Sequence, residues 1–163
     1  MSPVLVLGYG NPGRQDDGLG PAVVRELEAL DLPGVSLEAD YQLAPESAAD
    51  LAACDRAILV DAACSGPAPY QVRRLEPACG GGAGAGFTSH ALSPEALLAL
   101  CREAYGRLPE ATLVGVRGYR FAPGEGLTRR AEANKSRALE FILQLIGEWK
   151  GEPWRQEKRE KRF

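Results

Sequence analysis

The chain has 163 residues, 45% of them hydrophobic and 25% charged, which is enough apolar material for one domain with its own core and no stapling. A formal net charge of -3 gives no basic face for nucleic acid, and no apolar run approaches the length that spans a bilayer. The start, Met1 to Gly8, has neither a basic segment nor a small-residue cleavage pattern, and Cys54, Cys64, Cys79 and Cys101 form no C-x-x-C pair. Reduced thiols in a cytoplasmic protein are therefore expected.

Apolar runs alternate with helical patterns along the chain, which predicts an α/β architecture. Val4 to Leu7 is a continuous apolar run, as in a parallel strand buried on both faces. Helical spacing of Val23, Val24, Leu27 and Leu30 predicts a helix over Pro21 to Leu30. A second strand is expected over Val35 to Ala39, a short helix over Pro45 to Ala53, and a third strand over Ala57 to Val60 that stops at Asp61. Tyr70 to Leu75 alternates with polar Gln71 and Arg73 and belongs near a sheet edge. Cys79 to Gly86, rich in glycine and alanine, is expected to be a mobile loop.

Ser93-Pro94-Glu95 opens a helix to Tyr105, with serine as cap and an acid in the first turn. A fifth strand follows at Thr112 to Val116. The last helix, Arg129 to Trp149, carries an apolar stripe of Ala138, Phe141, Ile142, Leu145 and Trp149. One domain over residues 1–150 is expected, with a charged, disordered tail over 151–163.

In open α/β sheets ligands gather at the carboxyl ends of the strands. Three features are expected there: the loop Gly8 to Gly18, Asp61, and His90, the single histidine. Gly8-x-Gly10-x-x-Gly13 formally matches a dinucleotide fingerprint. Asp16 and Asp17 would set two negative charges where a pyrophosphate binds, which argues against nucleotide. One of the two aspartates is needed at most as a helix cap, a role assigned to Asp16, which leaves Asp17 for the cleft. Two carboxylates and an imidazole make an N/O ligand set suited to nickel or zinc. Asp61 also has a structural reading as a turn organiser, and His90 as an exposed or structural imidazole. A Ser89/His90 triad is disfavoured because neighbours in an extended segment face apart. Cys64, three residues past Asp61, is a weaker candidate nucleophile.

Several segments together resemble the hydrogenase maturation proteases. They are Val6-Leu7-Gly8-Tyr9-Gly10-Asn11 with Asp16-Asp17-Gly18-Leu19-Gly20-Pro21, Gln42 to Glu46, Ile58-Leu59-Val60-Asp61-Ala62, and Thr88-Ser89-His90-Ala91-Leu92-Ser93-Pro94 before Leu97 to Leu100. The resemblance implies a three-layer αβα sandwich around a mostly parallel five-stranded sheet. It also implies an endopeptidase that removes the C-terminal extension of a [NiFe] hydrogenase large-subunit precursor once nickel is installed. Asp17, Asp61 and His90 fall on the family's metal-contacting positions and are the implied catalytic set. The nickel would arrive with the substrate, and zinc or cadmium could occupy the same ligands. Gly10, Asn11 and Asp16 are the expected substrate contacts, the loop offering its N–H groups to the substrate backbone. A monomer without nucleic-acid or membrane partners is expected. The chain departs from the family at Val116-Arg117-Gly118-Tyr119-Arg120-Phe121, where an Ile/Val-x-Pro segment is usual, and in its charged tail.

Two other readings stand beside this one. Gly10-Asn11-Pro12-Gly13 also resembles peptidyl-tRNA hydrolases, which place a histidine and an asparagine where this chain has Asp16-Asp17-Gly18. A non-catalytic chaperone that binds nickel or the hydrogenase would use the same residues.

Overall fold

The computed structural model describes residues 3–79 and 92–152. A five-stranded sheet runs in the order β2-β1-β3-β5-β4, with β1 Val4–Tyr9, β2 Val35–Asp40, β3 Arg56–Ala63, β4 Tyr70–Leu75 and β5 Glu110–Arg117. β1 pairs in parallel with β2 and β3, β3 pairs in parallel with β5, and β4 alone is antiparallel, at the edge its polar alternation predicted. The charged stretch expected as a tail lies largely outside the described residues.

Strand alternation sorts the side chains into two cores. Val4, Val6, Ile58, Val60, Val114 and Val116 face α1 (Leu19–Glu28) and α4 (Arg129–Lys150), meeting Val23, Leu27, Leu139, Ile142 and Ile146. Leu5, Leu7, Ala57, Leu59 and Ala111 face α2 (Ser47–Ala52) and α3 (Pro94–Tyr105), meeting Leu51, Leu97, Leu98 and Cys101. The result is the expected αβα sandwich around a mostly parallel sheet. Each fully buried Leu or Ile side chain contributes about 1.5–3 kcal/mol.

Several boundaries differ from the sequence expectations. β3 does not stop at Asp61 but runs on to Ala63, because β5 continues beside it and pairs Gly115 with Asp61 and Arg117 with Ala63. α1 begins at Leu19, directly after a 3-10 turn over Gln15–Gly18, so Pro21 sits inside the first turn where its missing N–H is not needed. On α4 the buried face is Ala131, Ala138, Leu139, Ile142, Leu143 and Ile146. Phe141, Leu145 and Trp149 only flank it, so the apolar stripe is wider than expected and centred elsewhere. Ser93 caps α3 as expected, accepting from Ala96 N at 3.1 Å.

The tightest packing lies where α1 begins. A Cβ on Gly20 would stand 2.5 Å from the carbonyl oxygens of both Tyr9 and Val60, so the helix start rests on the ends of β1 and β3 with no room for a side chain. Gly20 thus supplies the close helix–sheet approach that a dinucleotide fingerprint would assign to Gly13, which is exposed.

Asp16 locks the loop after β1 to the segment leading into α4. It is 0% exposed, and its carboxylate accepts from Tyr119 N (2.8 Å), Arg120 N (3.0 Å), Thr128 N (2.7 Å) and Thr128 Oγ1 (2.8 Å). Around it Gln15 N donates to Gly124 O, Gly124 N to Gly13 O, Asp16 N to Arg120 O, and Arg14 Nη2 to Phe121 O. Burial works to raise the Asp16 pKa, but the donors from Thr128, Tyr119 and Arg120 outweigh it and hold the carboxyl below its ordinary value.

Two predictions follow from this packing. Gly20→Ala should lower stability by about 2–3 kcal/mol, because backbone oxygens cannot move aside, and thermal unfolding will read it. Asp16→Ala orphans three buried N–H groups and should cost about 3 kcal/mol or more. The folded pKa of Asp16 lies below the unfolded value. Its contribution is therefore complete above that value, near ~4, and is lost as pH falls through the folded pKa. The stability gap between wild type and Asp16→Asn in urea melts should accordingly be constant at neutral pH and shrink in acid.

Candidate active site

β1 connects to β2 on one side of the sheet, whereas β3 lies on its other side, so the crevice at their carboxyl ends is the topological switch point of the sheet. The β1–β3 pairing ends at Gly8 and Val60. Beyond it the chain of β1 lifts into the loop that carries Asp17, and Asp61 loses its neighbour on that side. Sequence order alone thus delivers two carboxylates to one crevice.

Asp61 shares a face with Leu59 and Ala57, toward α3. It is half-buried, accepts from Ala62 N at 2.8 Å, and takes a hydrogen bond from the Tyr9 hydroxyl. Its pKa is pushed up to about 6, first by burial and then by the negative charge of Asp17, against the lowering effect of the Ala62 and Tyr9 donors. Asp61 therefore senses the charge of Asp17. Tyr9, buried and beside Asp61, is held neutral well above the usual phenol range, chiefly by burial and then by the Asp61 charge. Glu95, in the first turn of α3, adds to that effect on Tyr9 and is bound to Arg73 of β4 at 2.5 Å.

Asp17 is partly exposed, and its Oδ2 accepts from Asn11 N at 2.9 Å. Gly10 has φ +142°, and a Cβ there would lie 1.9 Å from Asp17 O, so only glycine lets the loop fold back over this residue. Asp16 behaves differently from both expectations for it. It caps no helix and presents no oxygen to the cleft, because a segment more than a hundred residues downstream claims its whole carboxylate.

The loop does not offer its N–H groups to a ligand either. Gly10 N donates to Asp40 O, Asn11 N to Asp17 Oδ2, Gly13 N to Asn11 Oδ1, Arg14 N to Asn11 O and Asp17 N to Arg14 O. The N–H groups expected to meet substrate at Gly10 and Asn11 are thus engaged within the protein, and the loop forms no row of free N–H groups for a nucleotide's phosphates. A cavity of about 390 Å³ lies behind the loop, between α1 and α4, and is lined by Pro12, Gln15, Gly18, Arg25 and Lys135 among others, but by neither Asp17 nor Asp61.

His90 lies outside the described residues, as do Ser89 and the glycine-rich run from Gly80. Among the described residues no three His, Cys, Asp or Glu side chains are grouped to hold a metal. Cys64 is exposed just past the end of β3, and all four cysteines are free. Sequence reasoning missed Tyr9 and the Glu95–Arg73 pair. The available signal for Tyr9 was alternation: Leu5, Leu7 and Tyr9 share a face, and the last of them must emerge beside the strand-end aspartate. No helix among the described residues is long and apolar enough to cross a membrane.

No protein-family sequence model matches the chain, and no curated protein matches it by sequence. Solved structures do. The hydrogenase maturating endopeptidase HybD of Escherichia coli is 31% identical, over 90% of this chain and 93% of its own, with a TM-score of 0.69. A hydrogenase 2 maturation peptidase from a Thaumarchaeota archaeon is 27% identical, over 89% and 98%, with a TM-score of 0.65. The [NiFe] hydrogenase maturation protease HycI of Thermococcus kodakarensis, 22% identical over 86% and 90% with a TM-score of 0.66, shares the fold. These relationships replace the peptidyl-tRNA hydrolase and chaperone readings. At 31% identity over nine tenths of both chains, the chain belongs to the hydrogenase maturation proteases and is a peptidase.

Proposed function

We propose that this peptidase removes the C-terminal extension of a [NiFe] hydrogenase large-subunit precursor after nickel insertion, and that Asp17, Asp61 and His90 recognise the nickel carried by that substrate. The observation that carries this reading is the meeting of Asp17 and Asp61 at the switch point, where the charge of one raises the pKa of the other. A divalent ion between them relieves that repulsion and replaces the water that burial has removed from Asp61. Oxygen ligands completed by an imidazole suit nickel, and zinc or cadmium can take the same places. His90 stands three residues before the α3 cap Ser93, so about 10 Å of chain at most separates them. α3 starts at the carboxyl edge, where its Glu95 lies close to Tyr9, the donor to Asp61.

In this reading the ion is part of the signal for cleavage, so the precursor is cut only when its metal site is filled. Tyr9 and Ala62 N fix the orientation of Asp61, and Asn11 N fixes that of Asp17. Held by Asp17, Asp61 and His90, the substrate's ion would supply Lewis acidity toward the scissile carbonyl or toward a water beside a carboxylate. The protein is expected to act in the cytoplasm as a monomer.

Incubation of the purified chain with nickel-loaded and nickel-free precursor, read by the size of the large subunit, tests this. Only the loaded precursor should shorten. Asp17→Ala, Asp61→Ala and His90→Ala should each slow processing about 100-fold or more. Normal rates in these variants would remove the assignment, and equal cleavage of the nickel-free precursor would remove the role of the metal. Tyr9→Phe, which deletes one donor to Asp61, should slow processing about tenfold.

A further inference from the structure

The segment that leads from β5 into α4 carries an unusual charge arrangement. Residues 117–131 contain Arg117, Arg120, Arg129 and Arg130 and a single acid, Glu125, and Arg14 of the first loop is bonded to Phe121 O beside them. At the amino edge of the sheet, by contrast, arginines meet carboxylates: Arg56 and Arg74 face Glu110, and Arg107 faces Asp55. Among the described residues none of the five arginines near the crevice has an acidic partner, although the chain as a whole is acidic. Asp16 is close by, but its oxygens are taken by backbone N–H groups and Thr128.

The cluster is also built rather than scattered. Arg117 and Arg130 both stack on Tyr119, their guanidinium carbons 5.0 and 3.9 Å from the ring centroid. Asn134, buried in α4, donates to Tyr119 Oη at 3.0 Å and to Arg117 O at 2.9 Å, which holds ring and strand end together. Arg117 Nε is enclosed and has no acceptor among the described residues, a deficit of about 1–3 kcal/mol. Arg129 and Arg130 stand in the first turn of a 22-residue helix, where the dipole disfavours cations. Such an arrangement is costly for folding alone and suits an anionic ligand.

We infer that the Arg117–Tyr119–Arg130 stack, flanked by Arg14 and Arg120, is a docking surface for an acidic segment of the polypeptide substrate. The inference rests on the peptidase reading and extends it to substrate choice. Asp61 pairs with Gly115, and Arg117 follows two residues on along β5, about 7 Å further and on the same face. An extended peptide covers that span with two residues, so acids near the bond presented at Asp17 and Asp61 come within reach of the stack. The chain's own end, residues 153–163, has five basic and two acidic residues and so is not complementary to this surface. Planar, bidentate guanidinium groups on one ring favour carboxylates over diffuse polyanion binding.

The test is fluorescence anisotropy of the full chain with a labelled Gly/Ser peptide carrying three glutamates, against its glutamine counterpart and a labelled single-stranded oligonucleotide. The wild-type chain should bind the glutamate peptide about tenfold more tightly than the glutamine one, and the preference should fall with salt. Arg120→Glu/Arg130→Glu should abolish that preference. Arg102→Glu/Arg137→Glu, the same charge change on exposed positions elsewhere, should keep it. Equal binding of the two peptides, equal loss in both double variants, or tighter binding of the oligonucleotide would overturn the inference. Cleavage of nickel-loaded precursor is scored separately. A chain that prefers the acidic peptide yet leaves the precursor intact keeps this surface and loses the proposed substrate. A chain that cleaves without the preference does the reverse.

Discussion

The site depends on a buried carboxylate that does no chemistry. Asp16 holds four donors of the Tyr119–Thr128 segment, and through them it fixes both the loop that presents Asp17 and the approach to α4. A charge enclosed in this way is tolerated only because every donor around it is aimed at it. Its neighbour Asp17, one residue along the same 3-10 turn, is left partly exposed with one internal donor. One short turn therefore separates two identical side chains into a structural role and an available one.

The same economy of space governs the strand ends. Gly20 lets α1 begin in contact with the carbonyl oxygens of Tyr9 and Val60, which pulls the first loop down onto the crevice. Asp61 in β3 and Asp17 in the 3-10 turn after β1 then come to one crevice without any segment dedicated to joining them. Tyr9 fills the gap beneath, apolar in its ring and polar at its tip, and orients Asp61.

Much of this was legible in the residues. Continuous apolar runs marked the parallel strands, polar alternation put Tyr70–Leu75 at an edge, and Ser93-Pro94-Glu95 announced α3, because these signals are local. The approach of Asp17 to Asp61 was also legible, since β1 and β3 are parallel neighbours and lead toward one edge. What was not legible is what depends on distant partners. β3 runs past Asp61 because β5 is there to pair with it. The partners of Asp16 lie over a hundred residues away, and no local pattern announces them. The N–H groups of the first loop looked free for substrate, yet Asp40, Asn11, Arg14 and Asp17 use them. The extra width of the α4 stripe came from a long helix that crosses several strands.

The Asp16 clasp also has a consequence for the order in which the molecule can be assembled. Asp16 belongs to the first tenth of the chain, and Thr128, its most distant partner, is 112 residues further on. Closing so long a loop is entropically expensive, and it becomes possible only when nearly the whole domain has been synthesised. Until then the first loop has β1 behind it but nothing to hold its free side. A nascent or truncated chain can therefore build most of the sheet while its crevice stays unformed. In a peptidase this ties competence to synthesis of the chain through Thr128.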